Sequence, residues 1–203
     1  MDLGLNELQL DALKEVGNIG SGNAATALSQ LLGKSIDMKV PEIDILQVPE
    51  LIRTLGDDED VFVGVLLKVY GDILGNILFL LEASRAKELS KILLNDMDEF
   101  DSELGLSMFQ EMGNILGNSY LNAISKLTKL NMVTSVPAVC IDMLSALLTA
   151  SFMEAEQYSD YVLAIDTSYH ESSNGLDEHK SGGTFLLIPK PGSLSIILSK
   201  LGL

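Results

Sequence analysis

The chain's 203 residues are 47% apolar and 21% charged, which suits one sizeable domain, or two half-domains sharing a core, and excludes disorder by composition. A formal net charge of −16 repels nucleic acid phosphates and favours a partner with a basic face, although solubility alone accounts for such a balance in many proteins. The single cysteine, Cys140, excludes an internal disulfide and fits a reducing compartment; within Val139-Cys140-Ile141 it reads as a small buried hydrophobe.

Met1-Asp2-Leu3-Gly4 lacks the basic start of a signal peptide, so a cytoplasmic protein without membrane contact is expected. Residues 5–33 are predicted to form one long helix, with Leu5, Leu10, Leu13, Val16, Ala24, Ala27, Leu28 and Leu31 on one side and Gly33 as its stop. Residues 36–40 read as a strand entering Pro41, and 47–55 as a short helix. Val61 to Tyr70 and Ile73 to Leu81, joined at Gly71-Asp72, read as an antiparallel hairpin. Lys68, Gly71, Asp72 and Gly75 interrupt this apolar stretch too often for a membrane span. Ser84 is then expected to cap a helix running to about Leu94.

The acidic residues 95–103 form a seam, after which the order recurs. A helix over 105–129 carries Met108, Phe109, Met112, Leu116 and Leu127 on its apolar side. A strand over 132–136, a helix over 141–153, strands over 161–168 and 184–188, and a last helix from Ser193 to before Gly202 follow, with a mobile loop expected over 171–183. The predicted fold is α+β and internally duplicated. One domain spans 1–203 and is built from two repeats, about 1–96 and 97–203, related by a pseudo-twofold. The halves share one sheet, with the two long helices lying parallel on one face.

The duplication is legible in a motif. Asp11-x3-Glu15-Val16-Gly17-Asn18-Ile19 is followed by Pro41, 23 residues after Asn18; Ser107-x3-Glu111-Met112-Gly113-Asn114-Ile115 is followed by Pro137, 23 residues after Asn114. From Glu15 to Pro41, nine of 27 residues equal those 96 positions later, against about two by average residue usage. With Asp11 at 0° on a helix, Glu15, Asn18 and Gly22 fall at about 40°, 340° and 20°, and the apolar residues centre near about 200°. Ser107, Glu111, Asn114 and Asn118 align in the same way. A lone Glu or Asn with such an exposure is ordinarily just solvated; the duplicated stripe sets these apart. The small residues beside the asparagines, Gly17, Ser21, Gly22, Gly113 and Gly117, have two readings: close approach of a partner to an exposed turn, or helix packing within the chain.

A Glu and an Asn supply no nucleophile and base for acyl transfer. His170 and His179 are too isolated for a zinc site, and no Gly-rich phosphate loop with a following Lys is present. A carboxamide can instead hold a water with a lone pair aimed at an electrophile, which suffices in phosphoryl transfer, where positioning and charge stabilisation do most of the work.

At these residues the sequence resembles the CheC family of chemotaxis phosphatases, which includes CheX and FliY. Asp11/Glu15/Asn18/Pro41 and Ser107/Glu111/Asn114/Pro137 match its motif, and the likeness extends through Ile141-Asp142-Met143. Two intact motifs set the chain apart from the single-motif, dimerising CheX type, and the extra switch domain of the FliY type is not expected in 203 residues. The resemblance implies a hydrolase that removes phosphate from the aspartyl-phosphate of the response regulator CheY at two equivalent sites. Asn18 and Asn114 would orient the attacking water, and Glu15 and Glu111 would bind the regulator's active-site lysine, with Asp11 and Ser107 as further partner contacts. No cofactor would be carried by this chain, Mg²⁺ belonging to the regulator. The family also binds the deamidase CheD, which enhances activity. A helix around Ile141-Asp142-Met143 is the docking candidate, Asp142 being equally readable as a helix cap. The alternative is a non-catalytic adaptor that holds CheD or phosphorylated regulator.

Overall fold

A computed structural model describes residues 7–33, 35–39, 43–94, 100–154, 161–171 and 181–201. Leu5, Pro41, His179, residues 95–99 of the seam and 172–180 of the predicted loop lie outside these. The described elements run α1 (Glu7–Leu32), β1 (Ile36–Lys39), β2 (Ile43–Gln47), α2 (Val48–Leu55), β3 (Val61–Gly71), β4 (Gly75–Glu82) and α3 (Ala83–Leu93). They continue as α4 (Glu103–Thr128), β5 (Met132–Thr134), β6 (Ala138–Met143), α5 (Leu144–Glu154), β7 (Tyr161–Glu171), β8 (Ser181–Pro189) and α6 (Ser193–Lys200). Among the described residues no helix is long and apolar enough to cross a membrane.

The eight described strands join one antiparallel sheet in the order β1-β7-β8-β4-β3-β5, with β2 also on β7 and β6 also on β3. Each edge is therefore two short strands laid end to end on one long one. β1 faces residues 168–171 of β7 and β2 faces 161–165; β5 faces 69–71 of β3 and β6 faces 61–66. Strands exchange between the halves of the chain: β1 and β2 pair with β7, β5 and β6 with β3, and β4 with β8 at the centre.

The long strands are apolar on both faces because both are covered. Val63, Val65 and Leu67 of β3, Ile77 and Phe79 of β4, and Phe185 and Leu187 of β8 meet α1, α3, α4 and α6 in one core. Their alternating neighbours Phe62, Leu78, Leu80, Leu186 and Ile188 meet Leu51 of α2 and Leu144, Leu147 and Leu148 of α5 in a second. The result is three layers, with both long helices on one face, packed on each other.

Glycines set how closely the layers approach. A Cβ at Gly113 would strike the Val65 side chain and one at Gly117 would press on Leu67, so α4 lies tight on β3. Gly17 and Ser21 are likewise buried. Packing within the chain is thus the reading that holds for these small residues, and only Gly22 is exposed with open space around it.

Several elements differ from expectation. β2 was not anticipated. Ile141-Asp142-Met143 lies in strand β6, not in a helix, and α5 begins at Leu144. Asp142 does not cap α5: its carboxylate accepts from the adjacent Met143 N–H at 2.8 Å. Ser84 is not a cap either; its hydroxyl donates to Glu82 at 2.6 Å, whereas Ser102 caps α4 by accepting from the Gly105 N–H at 3.1 Å. Cys140 is exposed rather than buried, and Leu31 is 54% exposed at the end of α1.

Candidate functional site

The polar stripe of α4 forms one wall of an open depression of about 380 Å³. Ser107, Gln110, Glu111 and Asn114 line it from the helix, Thr134 from the end of β5, and Ser135, Val136 and Pro137 from the link between β5 and β6. The chain spacing between Asn114 and Pro137 is the length needed for α4 to end, β5 to return along β3, and the link to arrive beside the stripe.

That link is pinned on both sides. Ser135 exchanges backbone and side-chain bonds with Lys68 of β3: its N–H donates to the Lys68 carbonyl at 2.8 Å, and its hydroxyl oxygen accepts from the Lys68 N–H at 3.0 Å. The Gln110 amide of α4 donates to the Pro137 carbonyl at 2.9 Å. Pro137, which has no N–H to leave unpaired, is buried at the break between the strands, while Val136 projects outward at 80% exposure.

Asn114 is held from the next turn of its own helix. The Asn118 Nδ2 donates to the Asn114 carbonyl and to its Oδ1, both at 2.8 Å. Asn118 Oδ1 in turn accepts from the Thr134 hydroxyl at 3.3 Å. These bonds fix which end of each amide is oxygen. Asn114 lines the depression, and the second lone pair of its Oδ1 has no partner among the described residues. Glu111, one turn earlier, is exposed on the same rim, as is Ser107.

On α1, Asp11, Glu15, Asn18 and Gly22 are all exposed, as the helical spacing predicts. The Asn18 carbonyl accepts from the Ser21 hydroxyl at 3.0 Å, and among the described residues nothing bonds its side-chain amide. Pro41, the other fixed point of this motif, is outside the described residues. Asp142 sits apart, exposed on edge strand β6. Among the described residues no group of three His, Cys, Asp or Glu side chains is placed to hold a metal ion.

Gln110, Thr134 and Ser135 were not singled out from the sequence. Their signal was there in part: Gln110 lies on the polar side of α4, and the two hydroxyl residues directly precede Val136-Pro137, the one fixed point of the motif outside the helix.

In fold, the chain is similar to Thermotoga maritima FliY. Its crystal structure superposes with a TM-score of 0.75 at 19% identity over 98% of each chain. The chain belongs to the CheC-like family. The model of that family matches residues 8–45, and the CheY-P phosphatase CheC of Bacillus subtilis (strain 168) is 37% identical over 177 residues, 84% of each chain. The flagellar motor switch phosphatase FliY of the same organism is 27% identical over 139 residues, 66% of this chain but 36% of that protein.

Proposed function

We propose that the chain is a cytoplasmic phosphatase acting on the aspartyl-phosphate of the response regulator CheY. The observation that carries this is the α4 depression, where an exposed carboxylate and a hydrogen-bonded carboxamide stand one turn apart on an open surface, Glu111 beside Asn114. The similarity to a CheY-P phosphatase supports the same substrate.

In this reading the regulator presents its phosphoryl group, with Mg²⁺ bound on its own side, to the stripe. Glu111, and Glu15 in the first half, receive the regulator's lysine and set the register, with Ser107 and Asp11 at the rim. Asn114 and Asn18 each accept a hydrogen bond from a water and leave one of its lone pairs directed at phosphorus. The water oxygen bonds to phosphorus as the bond to the aspartyl oxygen breaks. The carboxylate leaves as an anion, and the water's protons depart with inorganic phosphate and solvent. Glu and Asn here act by position and supply no covalent intermediate.

We read the chain as a single domain built from a duplicated unit, on the nine identities and on the recurrence of helix, two strands, helix, two strands, helix in each half. CheD is proposed to enhance the activity by docking on the β6 edge, where Asp142 and Met143 are exposed. The test is phosphate release from phosphorylated CheY, with and without CheD. The double variant Asn18→Ala/Asn114→Ala is expected to lose the stimulated release while keeping its fold; release at the parental rate would reject the catalytic reading and leave an adaptor.

A further inference from the structure

We propose that Asn118 and Thr134 are positioning residues for Asn114, a relay that the first half of the chain does not have; this rests on the phosphatase reading above. The chain of bonds is directional. The Thr134 hydroxyl donates to Asn118 Oδ1, which turns the Asn118 Nδ2 toward α4, where it donates both to the Asn114 carbonyl and to the Asn114 Oδ1. An amide free to rotate about its last torsion presents oxygen and nitrogen to a water interchangeably. Bound in this way, Asn114 presents a defined oxygen lone pair to the depression. Thr134 in turn is fixed by β5, which is paired to β3.

The residues 96 positions earlier cannot do this. Gly22 stands in place of Asn118, and beyond the adjoining backbone of its own helix nothing lies within 4 Å of where its side chain would begin. Met38 stands in place of Thr134 and is buried in the helix-side core. At the positions equivalent to Asn118 and Thr134, the first asparagine therefore has neither the amide donor nor the hydroxyl that orders it.

The test uses the full chain with the first site silenced by Asn18→Ala, followed by steady-state phosphate release from phosphorylated CheY. Asn118→Ala is expected to lower kcat by about 10-fold or more with KM almost unchanged, since a misplaced water costs turnover rather than docking. Thr134→Val should move kcat in the same direction, and Thr134→Ser should restore it. Once Asn114→Ala is present, adding Asn118→Ala should cost nothing more. Parental kcat in both Asn118→Ala and Thr134→Val, with Asn114 still essential, overturns the relay alone. A rise in KM without loss of kcat also overturns it. Full activity in Asn114→Ala overturns the relay together with the reading beneath it. Should Asn118→Ala not fold, the Thr134→Val and Thr134→Ser pair decides.

Discussion

The ring of Tyr120 on α4 fills the space that a side chain at residue 20 of α1 would need: a Cβ built on Gly20 runs into its Cδ1 and Cε1 carbons. The same ring lies 4.3 Å from that of Phe185 on β8, centroid to centroid, so the contact between the two motif helices is keyed into the sheet. Two turn-adjacent glycines on one helix consequently have opposite meanings. Gly20→Ala should destabilise the chain by about 1 kcal/mol net, overpacking outweighing the gain in helix propensity. Gly22→Ala, in open space, should stabilise it by about 1 kcal/mol. Denaturant midpoints of the two variants check both signs; a stabilised Gly20→Ala would show that the helices are not in contact there.

Lys129 ends α4 with φ 61°, and Gly33 ends α1 with φ 63°. These positions are 96 residues apart, and only the glycine is at ease in a left-handed turn. Lys129→Gly should therefore raise stability by about 0.5–1 kcal/mol, the relief of the backbone exceeding the added freedom of the unfolded chain. A lowered midpoint would mean that the lysine makes a compensating contact.

Cys140 is exposed on β6. A maleimide reagent should label the folded chain at one thiol without denaturant. Protection until unfolding would place this strand under cover.

Glu111, exposed on the rim of the α4 depression, is proposed to hold a partner's lysine. In the Asn18→Ala background, Glu111→Ala should raise KM for phosphorylated CheY about 10-fold and weaken its salt dependence, with a smaller change in kcat. A variant altered only in kcat would move the glutamate's role from docking to chemistry.

The parts of the fold that could be read from the chain are those whose cause is local. Both long helices carry their apolar residues at helical spacing, and β3 and β4 are two β-rich apolar runs joined tightly at Gly71-Asp72. β2 has no local signal, because its five residues gain a partner only in β7, more than a hundred residues on. Residues 141–143 read locally as helix for the same reason, their partner β3 lying some eighty residues earlier. The exposure of Cys140 follows from the same strand: Val139 and Ile141 turn to the helix-side core while Cys140 takes the other face. The alignment of Glu and Asn on one side of each long helix is legible from the repeated spacing. The relay is not, because Thr134 comes beside Asn118 only through the docking of β5 against β3.

The exchange of edge strands has a consequence for synthesis. A nascent chain that has left the ribosome as far as α3 holds β1 and β2 with no hydrogen-bond partner, since β7 begins only at Tyr161. It equally holds β3 with its outer edge bare until β5 and β6 emerge. Neither half can complete its sheet ahead of the other, so the chain must close late and all at once, and a truncated product would be left with open edges prone to pair with a neighbour's.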